Sequence, residues 1–126
     1  MAVTEAVENY LETILMLSYK QPDVHAVDIC NHLGYSRPTL SVAIKQMKED
    51  GLISVNGENH IFLTDSGREV AERIYERHNV IAKMLIDIGV QEETAYSDAC
   101  KIEHDISNET FSCIKKHYMK FKKVKL

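Results

Sequence analysis

The sequence predicts a mainly α-helical protein with one small β-hairpin. Most of its 126 residues lie in segments where apolar side chains recur every three or four positions, the period of an α-helix. Between about residues 52 and 64 the pattern changes to two short runs rich in Ile, Val and Phe, separated by "NGEN", which is typical of a hairpin. An apolar fraction of 44% is ordinary for a protein that buries a core.

Two helices are predicted at the start of the chain, separated by an interruption at Pro22. The first runs from Thr4 to Lys20, and its apolar residues at helical spacing are Val7, Leu11, Ile14 and Leu15. Pro22 then interrupts, because the residue before a proline disfavours helical geometry. The second helix covers about Ala26 to Leu33 and ends at Gly34, the position that a C-cap glycine prefers.

A third helix begins at "YSRP". We expect Ser36 or Arg37 as its N-cap, and Pro38 suits the first turn, where a missing N–H costs nothing. The predicted buried stripe is Leu40, Ile44 and Met47. Gly51 then ends the helix, and the hairpin follows with a turn longer than the tight two-residue kind.

Three more helices are predicted after the hairpin. A long helix capped by Thr64 or Asp65 reaches about Ile88, and one member of its apolar line is a histidine. That line is Val70, Ile74, His78, Ile81 and Leu85. After Gly89 another helix carries "DACKIEHDIS", and Ser107 caps the last helix.

Two helices, a third helix and a hairpin, in this order, form a winged helix-turn-helix. We therefore predict a winged helix-turn-helix domain over residues 1–66 and a helical module over residues 67–126. The start of the third helix is small, polar or basic, which suits contact with phosphates and base edges in the major groove. The candidate DNA-binding residues are Ser36, Arg37, Pro38, Thr39, Ser41, Val42 and Lys45.

The charge is distributed unevenly along the chain. The net charge is −4, but residues 1–114 hold all 19 acids and nine of the 15 bases, so that part carries a formal charge of −10. An acidic body does not attract nucleic acid by bulk charge, so DNA binding has to depend on a local surface. No apolar run has the length of a membrane span and no signal peptide opens the chain, so we expect a cytoplasmic protein without a membrane partner.

The segment "DACKIEHDIS" places Cys100, Glu103 and His104 at positions i, i+3 and i+4. On a helix this spacing puts a thiol, a carboxylate and an imidazole on one face. Three such groups are costly to bury without partners, which favours a metal site. His78, within an apolar stripe, could join them.

One face of the first helix, with Asn9 and Glu12, could converge on the same place. Each residue alone has an ordinary interpretation: His78 as a core histidine, Cys100 as a small buried hydrophobe and Glu12 as a solvated carboxylate. The combination makes metal binding the stronger hypothesis.

The stretches "VENYLETILML", "VDICNHLGYSRPTLSVAIKQMKEDGLI", "LTDSGREVAERIYERHNVIAKML" and "DACKIEHDIS" resemble the diphtheria-toxin-repressor family of metal-dependent repressors. The resemblance covers about residues 5–118. It implies a homodimer of winged-helix domains joined through the C-terminal helices, which makes residues 67–126 a metal-binding and dimerisation domain. It further implies a divalent metal corepressor, usually ferrous iron or manganese, and operators that control metal uptake genes.

Carried over by position, the family's metal ligands fall on Asn9, Glu12, His78, Cys100, Glu103 and His104. The Cys-x-x-Glu-His form resembles the iron-responsive branch, whereas Glu12 and the short length resemble the manganese branch. Asn9 departs from both branches, where methionine or aspartate would be expected. The resemblance also places the iron branch's second, ancillary metal site on this chain. There Ala82 stands at the position of a carboxylate ligand and Tyr96 at the position of a histidine ligand. We therefore expect one principal metal per subunit.

The ligand types also rank the candidate metals. A thiolate with imidazole favours Fe²⁺, Co²⁺, Ni²⁺ or Zn²⁺ over the harder Mn²⁺. Availability in cells places Fe²⁺ first and Mn²⁺ second, with Zn²⁺, Co²⁺ and Ni²⁺ able to bind in vitro.

The sequence thus predicts a metal-dependent transcriptional repressor of metal homeostasis, with double-stranded operator DNA and a second copy of the chain as partners. One alternative is a metal-independent winged-helix regulator that senses redox state or a small molecule through Cys100. Another is a helical interaction protein whose winged helix binds protein and shows no salt-dependent duplex binding. We expect neither an enzyme nor a small organic substrate, since the sequence has no glycine-rich phosphate loop and no Gly-x-Ser-x-Gly elbow.

Overall fold

The chain folds into helices and one hairpin in the order that the sequence predicts. The computed structural model describes the backbone of residues 3–125 and the side chains of residues 3–120. The elements are α1 (Glu5–Lys20), α2 (Ala26–Leu33), α3 (Arg37–Glu49), β1 (Ile53–Val55), β2 (Ile61–Leu63), α4 (Asp65–Asp87), α5 (Glu92–Ile102) and α6 (Asn108–Lys125). The predicted fold class is confirmed. In the described range, no helix is both long enough and apolar enough to cross a membrane.

Hydroxyl side chains cap four of the helices. Thr4 caps α1, where its Oγ1 accepts a hydrogen bond from the N–H of Val7 at 3.2 Å. Ser36, not Arg37, is the N-cap of α3, where its Oγ accepts a hydrogen bond from the N–H of the residue at the end of the first turn. Thr64, not Asp65, is the N-cap of α4, because its Oγ1 accepts a hydrogen bond from the N–H three residues later at 3.1 Å. Ser107 caps α6 in the same way at 3.1 Å. These caps satisfy backbone donors that have no partner inside the helix.

Packing divides the chain into two units inside α4, between Arg73 and Ile74. The domain limit predicted at residues 66 and 67 lies near the start of the same helix. In the first unit α1 packs on α2 and β2, α2 packs on α3, and α3 packs on β1. The largest fully buried side chains of this unit are Leu11, Ile14, Leu15, Ile29, Leu40 and Met47. Leu40 and Met47 of the predicted α3 stripe therefore face the core, whereas Ile44 is half-buried, and the opposite side of the helix faces solvent.

The hairpin alternates between the core and solvent. Ile53 pairs with Leu63 and Val55 with Ile61, in antiparallel register. Ile53 and Ile61 are buried, whereas Phe62, the residue after Ile61, is 44% exposed. This alternation is the two-residue period of a strand with one buried face. The turn is long, as predicted, and the Asn56 side chain accepts hydrogen bonds from the N–H groups of residues 58 and 60.

The entry into α4 depends on a close approach between two backbone segments. A Cβ added to Gly67 would lie 1.9 Å from the carbonyl oxygen of Leu52. Only glycine leaves room for this contact, which sets α4 against the segment that leads into the hairpin.

The second unit has its own small core, formed by the end of α4 with α5 and α6. Its buried residues are Ile81, Ala82, Ala99 and Phe111, with Val80, Leu85, Tyr96, Ile102 and Ile106 packed against them. On α6, Phe111 and Tyr118 are both buried. The last 12 residues contain six lysines and no acidic residue. The side chains of residues 121–126 lie outside the described range.

Candidate metal centre and DNA-binding surface

The end of α5 brings together three of the predicted metal ligands. The ligand atoms of Cys100, Glu103 and His104 all lie within 4.8 Å of one another. α5 ends at Ile102, so Glu103 is its C-cap and His104 lies in the turn beyond it, whereas the sequence predicted one continuous helical face. The Glu103 N–H still donates to the Ala99 carbonyl at 2.9 Å. This bond extends the helical geometry by one residue and keeps the three groups together.

The Glu103 carboxylate is the centre of this cluster. Glu103 is 0% exposed, and its Oε2 lies 2.9 Å from Nδ1 of His78 on α4. Nε2 of His104 lies 3.4 Å from the other oxygen, Oε1. In the part of the chain that the structure describes, Oε1 accepts no hydrogen bond. A buried carboxylate oxygen without a donor is costly, so these residues fit a cation that would satisfy it.

The chemistry of the donor set also suits a metal. One thiol, one carboxylate and two imidazoles are the ligand types that divalent transition metals take in proteins. The side chain of His104 is only 1% exposed and that of His78 is 15% exposed, so both imidazoles are largely removed from water. The cluster is therefore partly desolvated and rich in ligand atoms.

The other two predicted ligands, Asn9 and Glu12, lie on α1 in the first unit. Glu12 is 5% exposed and Asn9 is half-buried. Both lie on the part of α1 that carries buried residues. Their participation in the metal site stays a prediction.

The positions that correspond to the ancillary site have apolar or aromatic surroundings. Ala82 is fully buried in the core of the second unit. Tyr96 is partly buried, and its ring centroid lies 5.5 Å from that of His78. Neither residue supplies a carboxylate or an imidazole. The expectation of one principal metal per subunit stays a prediction.

The start of α3 presents the predicted DNA-binding residues to solvent. All seven are exposed: Ser36, Arg37, Pro38, Thr39, Ser41, Val42 and Lys45. The first turn of α3 contains no acidic residue, so nothing in it offsets the partial positive charge of the helix N-terminus. The Ser36 hydroxyl donates to Thr39 Oγ1 at 2.9 Å, which fixes two of the hydroxyl groups relative to each other.

One residue beside the candidate metal ligands was not predicted from the sequence. Arg77, directly before His78 on α4, donates hydrogen bonds to the same turn that carries Glu103 and His104. Its spacing offers a signal, because it lies three residues after Ile74 and four before Ile81, which are both buried. A charged residue on an apolar stripe requires partners inside the protein.

A helix-turn-helix with a hairpin wing, joined to a unit with a thiol–carboxylate–imidazole cluster, defines a metal-responsive DNA-binding regulator. Comparison with family models supports this class. Residues 2–61 match the iron dependent repressor N-terminal DNA binding domain, and residues 64–124 match the iron dependent repressor metal binding and dimerisation domain. The chain belongs to the iron-dependent repressor family, whose members are metal-dependent, DNA-binding transcriptional repressors.

Individual relatives agree with this assignment. The transcriptional regulator MntR of Escherichia coli O6:H1 is 32% identical over 111 residues, which are 88% of this chain and 72% of that protein. The iron-dependent repressor IdeR of Mycobacterium bovis is 32% identical over 85% of this chain and 47% of its own length. A manganese-dependent transcriptional repressor, solved in complex with manganese, superposes with a TM-score of 0.81 at 26% identity, over 89% of this chain and 52% of that one. The chain thus spans about half the length of the latter two proteins.

Proposed function

We propose that this chain is a homodimeric repressor of metal homeostasis that binds double-stranded operator DNA when a divalent metal occupies the cluster of His78, Cys100, Glu103 and His104. The observation that carries the proposal is the buried Glu103 carboxylate, with one oxygen near His78 and the other without a hydrogen bond in the described part of the chain. An unsatisfied buried polar atom costs about 1–3 kcal/mol. A bound cation removes this cost, so the apoprotein holds a site that favours metal.

The ligand types support Fe²⁺ as the first candidate and Mn²⁺ as the second. A thiolate and two imidazoles favour the softer metals, whereas a site for Mn²⁺ is typically richer in carboxylates. The relatives include one named for iron and one solved in complex with manganese, so the Cys100 thiol is the feature that ranks iron first.

We propose Asn9 and Glu12 as further ligands, an extension supported by their shared helix face and by the family resemblance. Both lie on α1, the first helix of the DNA-binding unit. A ligand from α1 would make the arrangement of that unit depend on the metal. The coupling is reciprocal, so operator DNA raises metal affinity by the same factor by which metal raises DNA affinity.

The chain's own residues supply DNA recognition in this proposal. Arg37 and Lys45 meet phosphates, while the Thr39 and Ser41 hydroxyls reach phosphates or base edges from the start of α3. The two recognition helices of a dimer enter successive major grooves, about 34 Å apart. A palindromic operator is therefore expected.

The test is anaerobic metal analysis of the purified protein, followed by selection from a library of random duplexes in Fe²⁺, in Mn²⁺ and in chelator. We expect a palindromic site that binds with either metal and is released by chelator. DNA affinity that does not change between metal and chelator would refute the metal switch. Release of DNA by a thiol oxidant in the absence of metal would instead support the redox regulator that senses through Cys100.

A further inference from the structure

Arg77 is a buried charged residue on α4. Only 6% of its surface is exposed, and in the described chain no acidic side chain pairs with its guanidinium group. Placing a cation in the protein interior is costly unless its donors are satisfied. The residues around Arg77 therefore have to supply hydrogen-bond acceptors for its guanidinium group.

The guanidinium group bonds to the backbone of one turn. Nη1 donates to the carbonyl oxygens of Glu103 and Ile106, at 2.9 Å each, and Nη2 donates to the Asn108 side chain. The guanidinium carbon lies 5.4 Å from the centroid of the Phe111 ring. One side chain thus holds the start of the turn, its end and the first residue of α6.

That turn carries two of the proposed metal ligands, Glu103 and His104. Arg77 and His78 are adjacent on α4, and they hold the same residue from two sides. Arg77 binds the main-chain carbonyl of Glu103, and His78 contacts its carboxylate. A planar guanidinium with donors in a fixed fork fixes both position and direction, which a lysine ammonium does not.

We propose that Arg77 is a positioning residue of the metal site: it holds the turn between α5 and α6 so that Glu103 and His104 meet His78 and Cys100 before metal arrives. This inference rests on the metal site proposed above. A metal site with mobile ligands has a lower affinity, because the entropy cost of ordering those ligands then reduces the free energy of binding. Outer partners that orient ligands typically contribute about 10- to 100-fold in metal affinity.

The experiment uses Co²⁺ as the probe, with the full-length chain under anaerobic conditions. Affinity is measured by titration, and the visible absorption spectrum of the Co²⁺ complex reports ligand number and geometry. For Arg77→Lys we expect about 10- to 100-fold weaker Co²⁺ binding and a changed Co²⁺ spectrum, with cooperative thermal unfolding of the apoprotein retained. Arg73→Lys is the matched control, since Arg73 lies one turn earlier on α4 and its pair with Glu8 is 3.5 Å long and partly exposed.

Asn108 offers a second, milder variant outside the ligand set. Asn108→Ala removes one partner of Arg77 and leaves the Ser107 cap intact, so we expect a smaller loss of Co²⁺ affinity, and Asn108→Asp should retain affinity. Wild-type affinity and an unchanged spectrum in folded Arg77→Lys would overturn the inference. If that variant does not fold, unchanged Co²⁺ affinity in Asn108→Ala would overturn it. Wild-type protein that binds no Co²⁺, or binds it equally well after Cys100→Ser and His104→Ala, would instead refute the metal site itself.

Discussion

Nδ1 of His78 lies 2.9 Å from Oε2 of Glu103, although 25 positions separate the two residues in the chain. The contact joins the middle of α4 to the end of α5, and it lies where the Glu103 side chain is fully buried. The opposite carboxylate oxygen has no hydrogen bond in the described residues, so it is the atom that the proposed cation would satisfy. The predictions about metal binding depend on this contact.

Glu103→Gln should abolish tight metal binding while the protein stays folded. The amide keeps the shape of the side chain and a hydrogen bond to His78, but it loses the charge and the basic ligand oxygen. Loss of an outer partner alone weakens metal affinity about 10- to 100-fold, so loss of this ligand should exceed about 100-fold. Calorimetric titration with Mn²⁺ and Co²⁺ measures the change.

The matched control for Glu103 is Glu76→Gln on α4. Glu76 forms an ion pair with Lys115 at 2.8 Å, and both side chains are nearly half-exposed. Metal affinity should be unchanged in this variant. Equal losses at Glu76 and Glu103 would mean that general charge, and not coordination, attracts the metal.

Cys100→Ser should reduce the affinity for soft metals more than the affinity for Mn²⁺. A hydroxyl is a poor replacement for a thiolate with Fe²⁺, Co²⁺ or Zn²⁺, whereas Mn²⁺ accepts oxygen ligands readily. Competition titrations in the two proteins measure the ratio of affinities. Cys113→Ser, at an exposed position of α6, is the control. Equal losses for all metals in Cys100→Ser would argue against the thiolate as a ligand.

Lys45→Ala should weaken duplex binding for every sequence and reduce its salt dependence. Each phosphate contact that is lost lowers the slope of log K against log salt by about 0.9, so two subunits should lower it by about 1.8. Metal affinity should be unchanged, because Lys45 is exposed on α3. Lys83→Ala, at an exposed position of α4, is the control and should keep the wild-type slope. An unchanged slope in Lys45→Ala would remove Lys45 from the DNA interface.

Val42→Ala should relax discrimination at one thymine in each operator half-site. Val42 is 72% exposed on the side of α3 that we propose faces DNA, and an apolar side chain in the major groove can contact the thymine methyl group. Burying one methyl group is worth about 0.8 kcal/mol, or about fourfold in affinity. Replacing that thymine with deoxyuridine should weaken DNA binding by the wild-type protein but not by the Val42→Ala variant. If deoxyuridine weakens DNA binding by both proteins equally, Val42 does not contact the thymine methyl group. The control is Val27→Ala, on α2.

Gly67→Ala should destabilise the DNA-binding unit strongly. The added methyl group would lie 1.9 Å from the Leu52 carbonyl oxygen, so backbone has to move. Overpacking of this kind costs about 1–3 kcal/mol or more. Gly57→Ala is the control, since a Cβ there meets nothing within 4 Å. Urea denaturation of the two variants compares the costs, and equal midpoints would contradict the close approach.

Much of the fold could be predicted because its signals are local. Gly34 ends α2 in left-handed geometry, with φ of 76°, and Ser36 caps α3 two residues later. Such choices depend on the backbone of a few neighbouring residues, so they are readable from sequence. The exposed side of α3 followed in turn from the buried spacing of Leu40 and Met47.

The sequence by itself determined the order of the elements, the places where helices begin and end to within a residue or two, and the candidate ligand types. Only the tertiary structure decided that Glu103 is fully enclosed, that it meets His78, and that Arg77 holds the turn around it. It also decided that α5 ends at Ile102, before two of the predicted ligands. The physical reason is that helix caps and apolar periodicity depend on interactions between residues that are close together in the chain. The burial of a charged side chain is determined by partners more than 20 positions away, and the local pattern does not encode those partners.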